Sequence, residues 1–485
     1  MGARTGEQVL AGMRDGREVY IDGERVADVT RDPRLAGGAR TLADLYDMQL
    51  RPDLVETMTY RSPTTGDRVG LSFIEPRSRD ELRSRRVMVK HWHDRTLGMF
   101  GRAPDFLNVV YSTFASGAEA FGSDYAKNVR AYYEFVRERD LSTTHSLTNP
   151  QADRSRSVVA QAHDLATRAI KETDKGIVVR GARMLATLGA YADELLVMSS
   201  PSYALPVSEE AKPFALGFAL PMATPGLRII CRPSVIHQGA GSPLDHPLSV
   251  RFDETDCMVV FDDVLVPWER VFVYRDIEVH NTVYARTGAR AAITHQSVTK
   301  DWAKAEFMMG LGVTLARTIK VDEFLHIQGM LVELINTVEI LRACVLAAES
   351  EAELSPQGIF IPAAGALNAM RFVFPQMYRR SCEIIQTIGA GGLVMVPSFA
   401  ELGGPMAANV AAYCQAAGAD ARTRIKLFRL AHDASMSTFS GRQQLYERYF
   451  AGDPVRTATG VYRGYDNEPH IQRIWDLLDR FEAEA

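Results

Sequence analysis

Apolar side chains at Phe324, Ile327, Leu331, Leu334, Val338, Leu341 and Val345 alternate spacings of three and four along the chain. That period predicts a long helix whose seam packs inside a bundle. A second long helix is expected over 296–319, with others over 366–388 and 410–450. Near the start of the chain, Leu42, Leu45 and Leu50 fall near one helical stripe. Ser78 and Glu81 have the spacing of a capping box, opening a basic helix that runs through Trp92. A break over 101–107 follows, and helix resumes over 108–136. In the middle of the chain the pattern changes. Apolar runs at 214–220 and 227–231 flank Thr224-Pro225-Gly226, a turn signal, and 175–183 reads as strand and turn. The run 257–267 reads as a strand pair around Asp262-Asp263. The order is therefore α, β, α. We expect an α+β, mostly α chain: an N-terminal helical domain over 1–140, a middle antiparallel β-barrel or sandwich over 141–275, and a C-terminal helix bundle over 276–485.

One stretch fits neither period. Ser142 to Arg154 packs hydrogen-bonding groups of every kind into thirteen residues, with Asn149-Pro150 breaking the backbone in its middle. Loops of this composition often satisfy the polar groups of something that is not protein. A polar ligand across the opening of a β-domain is the first expectation.

The bulk numbers narrow the classes. At 485 residues two or three domains are expected. The charged fraction of 24% is ordinary for a soluble globular chain. A net charge of −5 argues against a nucleic-acid partner, which needs a basic surface. No window approaches eighteen consecutive apolar residues, and the first residues lack the apolar core of a secretory signal. Five cysteines (Cys231, Cys257, Cys344, Cys382 and Cys414) are scattered and never form a C-x-x-C pair. That usage reads as reduced and cytoplasmic, without a zinc or disulfide framework. The dinucleotide, P-loop, zincin and nucleophile-elbow motifs are all missing. The close pair His91 and His93 should face different directions on a helix, so packing or surface roles are favoured over metal binding.

The α, β, α order, with 176–183 and 260–267 in its middle, resembles the acyl-CoA dehydrogenase fold. Along nearly its whole length the chain resembles the oxygenase component of two-component 4-hydroxyphenylacetate 3-monooxygenases. The matching segments are 4–8, 16–26, Gly101-Arg102-Ala103-Pro104-Asp105-Phe106-Leu107-Asn108, the polar loop, and Tyr446-Glu447-Arg448. The resemblance implies a C-terminal four-helix bundle and a homotetramer supplied with reduced FAD by a separate NAD(P)H:flavin reductase. Oxygen would add to the flavin as a C4a-hydroperoxide, whose distal oxygen goes to the carbon ortho to a phenol. Such an enzyme needs no nicotinamide site, consistent with the missing motif. The expected substrate is 4-hydroxyphenylacetate, with other para-substituted phenols as alternatives, free or carrier-bound.

By the same resemblance Arg102 and His145 are the catalytic pair. A phenol with a pKa near 10 is only about 0.1% ionised at pH 7, and half-ionising it takes about 4 kcal/mol of differential stabilisation. Histidine can take the proton and arginine can hold the charge. Read alone, Arg102 could equally cap helix-end carbonyls in an exposed break, and His145 could be a loop histidine with a backbone partner. Phe106 departs from the family, where tyrosine is common and its hydroxyl joins the substrate contacts. Ser199 and Ser200 would touch substrate from a flap ending near Pro213, or simply belong to a connecting loop. His145, Ser146, Leu147, Gln151, Asp153, Arg154 and Thr187 fall where the family binds flavin. Gly391, from this or a neighbouring subunit, and Gly452, Asp453 and Pro454 would add late contacts; helix capping is their alternative reading. Two rivals share the fold. A 4-hydroxybutyryl-CoA dehydratase needs cluster cysteines in its N-terminal half, and here the first cysteine is Cys231. An acyl-CoA dehydrogenase needs a carboxylate base beside the flavin. A non-catalytic helical scaffold is the remaining alternative.

Overall fold

The central element is the helix Ala289–Thr318, thirty residues long and packed against Arg79–Arg95, Asp105–Ser116, Leu325–Ser350 and Ala364–Gly389. This computed structural model describes residues 2–150, 152–161, 165–198, 204–236 and 242–485. Surrounded on all sides, the central helix buries polar residues as well as apolar ones, among them His295, Gln296, Lys300, Asp301 and Lys304. With Leu325–Ser350, Ala364–Gly389 and Ala421–Ser435 it makes a four-helix bundle. The predicted seam is present: Ile327, Leu331, Leu334, Val338, Leu341 and Val345 are buried, whereas Phe324 is the exposed N-cap residue. The helix expected over 410–450 is three, Ala407–Tyr413, Ala421–Ser435 and Thr438–Tyr449, with Asp420 and Ser437 accepting N-terminal N–H groups of the second and third. Those side-chain caps are local competitors that the apolar period did not register.

In the middle of the chain two sheets pack face to face. A six-stranded sheet runs in the order Glu24–Arg25, Glu18–Ile21, Leu227–Cys231, Asp256–Pro267, Gly176–Thr187, Arg168–Thr173. A four-stranded sheet runs Val271–Tyr274, Leu216–Pro221, Glu194–Val197, Thr143–Ser146. Phe218 and Phe261 meet edge-on between them, ring centroids 5.8 Å apart. Three differences from the sequence reading matter. The expected strand pair at 257–267 is one strand. Its Asp262-Asp263 is a bulge, with Asp263 at φ 53° and the register shifting between Phe261 and Val264. The N-terminal part is not wholly helical: Glu18–Ile21 pairs in parallel with Leu227–Cys231 and adds its hairpin to the larger sheet. The polar stretch is partly a strand, for Thr143–Ser146 pairs in parallel with Glu194–Val197 and is buried throughout. Two of its three hydroxyls are satisfied internally, Thr144 Oγ1 donating to Thr187 O at 2.5 Å and Ser146 Oγ to Met184 O at 2.8 Å, while Thr143 Oγ1 is buried without a partner. Side-chain to backbone bonds let a polar segment be buried, which hydropathy does not foresee.

The Ser78 side chain does accept from Glu81 N, but Glu81 Oε2 takes the N–H of Arg77 rather than that of the cap. His93 is a packing residue, buried with its Nε2 3.1 Å from Asp105 Oδ2. Cysteines scattered in sequence meet in one case: Cys231 and Cys257 are cross-strand partners with sulfurs 3.5 Å apart. No helix among the described residues is long and apolar enough to cross a membrane.

Candidate active site

Arg102 lies in the break between the Arg79–Arg95 and Asp105–Ser116 helices. That break is not on the surface. Leu97 and Gly98 turn the chain with positive φ, and a Cβ at Gly101 would meet Tyr446 Oη at 2.6 Å. Glycine at 101 is thus what lets the Tyr446 ring lie against the backbone that leads into Arg102. The Arg102 main-chain N–H donates to Glu254 Oε2 at 3.1 Å, and Gln443 Nε2 donates to Met99 O at 2.8 Å. Arg442 binds Glu254 at 2.7 Å and Asp256 at 2.9 and 2.7 Å, and Thr187 Oγ1 donates to Asp256 at 2.9 Å. This chain of bonds ties the middle sheet, the break and the Thr438–Tyr449 helix together. Flanking guanidiniums of Arg442 and Arg232 hold the Asp256 carboxyl well below its usual range despite burial.

The Arg102 guanidinium lies 3.9 Å from the Phe106 ring centroid and 5.7 and 5.6 Å from those of Tyr446 and Phe450. Its Nη2 donates to Phe450 O at 3.2 Å, while its Nη1 is buried with no partner. Phe106, in the first turn of its helix, stacks on His145 with centroids 5.2 Å apart and planes 18° apart. His145 is only 9% exposed, and no protein group among the described residues hydrogen-bonds its ring. Burial, and then the charge of Arg102, push its pKa well below the ordinary value, so the imidazole is neutral at pH 7. An orphaned guanidinium donor and an unengaged neutral imidazole on either side of an aromatic wall suit one ligand oxygen that accepts from the first and donates to the second. A buried donor left unsatisfied is costly, so a ligand that completes it is favoured.

The other expected residues divide. Leu147 and Arg154 line a cavity of about 520 Å³ with Asn149, Arg183, His280 and Arg456. The Oδ1 of Asn149 is buried without a partner, as is Nε of Arg183. These amide and guanidinium groups fit the edge and phosphates of a flavin dinucleotide. Ser146 and Thr187 border His145 with their hydroxyl donors committed to the protein. Asp153 is turned to its own loop, accepting from Ser155 and pairing with Arg156 at 3.0 Å. Gly452 to Pro454 begins two residues after Phe450, whose carbonyl Arg102 binds. The Asp453 side chain caps Val455 N and Arg456 N, the local role that was the alternative reading. Gly391 is exposed just beyond the far end of the Ala364–Gly389 helix, and a Cβ there would meet nothing within 4 Å. Gln151, Ser199 and Ser200 lie outside the described residues, as does the start of the expected flap.

Sequence reasoning missed the platform beneath Arg102. Tyr446 and Phe450 stack at 5.4 Å, and Lys300 Nζ lies 5.3 and 4.8 Å from their centroids. Lys300 and Lys304 share the buried Glu447, at 2.7 Å for the first and 2.5 Å for the second, and Lys300 also pairs with Asp301 at 2.6 Å. Two lysines four apart on one face of a helix that packs inside the bundle were the available signal.

The fold is the acyl-CoA dehydrogenase-like architecture, and at its centre a guanidinium and an unengaged imidazole flank an aromatic wall. The chain belongs to the 4-hydroxyphenylacetate 3-hydroxylase family. Its N-terminal region matches residues 5–273 and its C-terminal region residues 280–479. The chain is 43% identical to a 4-hydroxyphenylacetate 3-monooxygenase oxygenase component of Thermus thermophilus, over 98% of this chain and 97% of that one. It is 36% identical to a pyoverdin chromophore biosynthetic protein of Pseudomonas aeruginosa, over 99% and 95%. Among solved structures it resembles an oxygenase component of 4-hydroxyphenylacetate 3-monooxygenase complexed with FAD and 4-hydroxyphenylacetate. There the TM-score is 0.94 and the identity 42%, with 99% of each chain covered.

Proposed function

We infer that this chain is the oxygenase component of a two-component flavin-dependent monooxygenase that hydroxylates a phenol ortho to its hydroxyl. The observation that carries the reading is the unpartnered Arg102 Nη1 beside the stacked, unengaged His145. Reduced FAD, when bound, supplies the electrons that activate molecular oxygen for electrophilic transfer to the ring. The chain's own residues prepare the ring. His145 accepts the hydrogen of the phenolic O–H, Arg102 donates to the oxygen as charge develops there, and Phe106 stacks beside them. Each helps put electron density on the ortho carbon. His145, Ser146, Leu147, Gln151, Arg154, Thr187 and the Gly452–Pro454 segment would hold the flavin, with Gly391 contributed by a neighbouring subunit. A separate NAD(P)H:flavin reductase, a homotetramer and a cytoplasmic location complete the reading. Support for a subunit contact comes from Leu325, Val332 and Ile335, apolar and exposed on a bundle helix. Analytical ultracentrifugation tests the tetramer.

The best substrate assignment is 4-hydroxyphenylacetate, with another para-substituted phenol the alternative that Phe106 favours. Phenylalanine keeps the stack on His145 and lacks the hydroxyl expected to reach substrate. Restoring it in Phe106→Tyr is expected to tighten 4-hydroxyphenylacetate binding about fivefold, the worth of one hydrogen bond near 1 kcal/mol. Unchanged or weaker binding by isothermal titration would show that the pocket is built for a different ring. Because His145 is neutral well below its ordinary pKa, kcat/KM should stay level as pH falls through 6.5. An acid limb centred at 6.5 that disappears in His145→Asn would contradict the burial-driven shift. The function itself is tested by supplying chemically reduced FAD and oxygen with a panel of phenols and assaying catechols by mass. Catechol from at least one para-substituted phenol is expected; flavin oxidation with no hydroxylated product from any member would overturn it.

A further inference from the structure

The cavity beside the Thr143–Ser146 strand contains a buried charge for which the protein supplies no counter-charge. Arg183, on the long strand Gly176–Thr187, is 2% exposed and lines that cavity of about 520 Å³. Its Nη1 donates to Leu147 O at 3.3 Å and to Met198 O at 3.4 Å, which fixes one corner of the guanidinium. Its Nε is buried with no partner, and no carboxylate among the described residues pairs with it. The uncommitted side is therefore the Nε–Nη2 edge, the fork that takes a carboxylate through two parallel hydrogen bonds. Burial lowers the Arg183 pKa to about 10, so the group stays charged at pH 7. A buried ion without a partner is costly, and among the described residues no Asp or Glu lines the cavity to provide one.

Two rails of the fold lead from the Arg102 end of the site to Arg183. On the sheet, Leu147 stands two residues beyond His145, roughly 7 Å along extended chain, between the Thr143–Ser146 strand and the bridge from Thr148 to Met184. On the helix Ile277–Arg286, Tyr284 feels the charge of Arg102, and His280 one turn before it feels the charge of Arg183. A phenol whose hydroxyl meets Arg102 and His145 thus has Arg183 a ring and a short side chain away. His280 is not the partner of an anion there. Burial lowers its pKa to about 4, and its Nδ1 faces Asn281 Oδ1, which also accepts from Leu205 N. The neutral ring therefore offers the cavity only an acceptor nitrogen.

We propose that Arg183 is a specificity-determining residue that pairs with a carboxylate on the para side chain of the phenol, selecting free phenolic acids over their amides and carrier-bound thioesters. The inference rests on the phenol reading above and deepens it by naming the charge of the para substituent. An amide or thioester presents a carbonyl without the negative charge, and leaves the buried guanidinium uncompensated. Arg154 and Arg156 line the same cavity from exposed positions and remain for the flavin phosphates.

The test compares 4-hydroxyphenylacetate with 4-hydroxyphenylacetamide as substrates of the full-length protein supplied with reduced FAD and oxygen, in wild type, Arg183→Met and Arg183→Lys. In wild type the KM for the acid should lie roughly 10- to 100-fold below that for the amide. Arg183→Met should raise the acid's KM by that factor while the amide's KM, kcat for the acid and half-saturation by reduced FAD all stay within about threefold. Arg183→Lys should regain part of the discrimination. Equal KM values for acid and amide in wild type would overturn the proposal. So would a rise for both substrates alike in Arg183→Met, which is a packing effect. Weakened FAD binding with an unchanged acid-to-amide ratio would give the guanidinium to the flavin phosphates and overturn it too. Should the methionine variant fail to fold, the lysine variant decides: its acid-to-amide ratio must narrow, and an unchanged ratio refutes the inference. Catechol from neutral phenols without a preference for acids sinks this inference alone, whereas no catechol from any phenol in wild type means that the phenol reading itself has failed.

Discussion

Arg102→Ala is expected to lower catechol yield by roughly two to three orders of magnitude while reduced FAD and oxygen continue to be consumed, with hydrogen peroxide released instead of product. The size follows from the chemistry. Half-ionising a phenol at pH 7 takes about 4 kcal/mol, and removing one preorganised donor from an oxyanion site typically costs a hundredfold or more. The half-buried Arg102 guanidinium lies over the Phe106 ring and its charge acts on His145, and its Nη1 is a buried donor without a protein partner. Circular dichroism of the variant should match wild type, since the side chain gives up one hydrogen bond, to Phe450 O. Coupled assays for catechol and peroxide on the same sample check the split. Undiminished catechol would remove Arg102 from the chemistry; a parallel loss of peroxide would instead mean that flavin no longer binds.

Glu447→Gln should be the most destabilising single substitution in the platform beneath that site. Lys300, Lys304, Asp301 and Glu447 are buried together, with burial raising the Asp301 carboxyl to about 7, so Glu447 is the main counter-charge to the two ammoniums. The two ammoniums pull the Glu447 carboxyl down to about 2 against the effect of its burial. Neutralising it leaves one ammonium uncompensated in the interior, which costs about 3–5 kcal/mol. Urea unfolding should show the midpoint displaced accordingly. Hydroxylation should fall as well, because Glu447 adjoins Tyr446, and Tyr446 and Phe450 form the stack on which Arg102 rests. A midpoint within experimental error of wild type would mean that one of the lysines sheds its charge at little cost.

Periodicity made the large elements legible. The three-four seam of Leu325–Ser350 and the apolar run of Leu227–Cys231 appear where the pattern placed them, because their side chains face one core. What stayed illegible depends on bonds rather than on hydropathy. Thr143–Ser146 reads as a loop because its hydroxyls look solvated, yet Thr144 and Ser146 donate to backbone carbonyls of Gly176–Thr187 in the facing sheet. Asp262-Asp263 reads as a turn because its composition is that of one, and a bulge absorbs it within a continuous strand. For the site, Arg102, Phe106 and His145 came from resemblance, and the structure brings those three together.

The central claim is that this pocket holds its aromatic substrate as a phenolate, and difference absorption spectroscopy of a bound phenol tests it most directly. Titrating the flavin-free protein with a substrate phenol at pH 7 should produce the red-shifted phenolate band, and the Arg102→Ala variant should bind the ring without it. A bound phenol that stays fully protonated in wild type, or a phenolate band of equal strength in both proteins, would contradict the account.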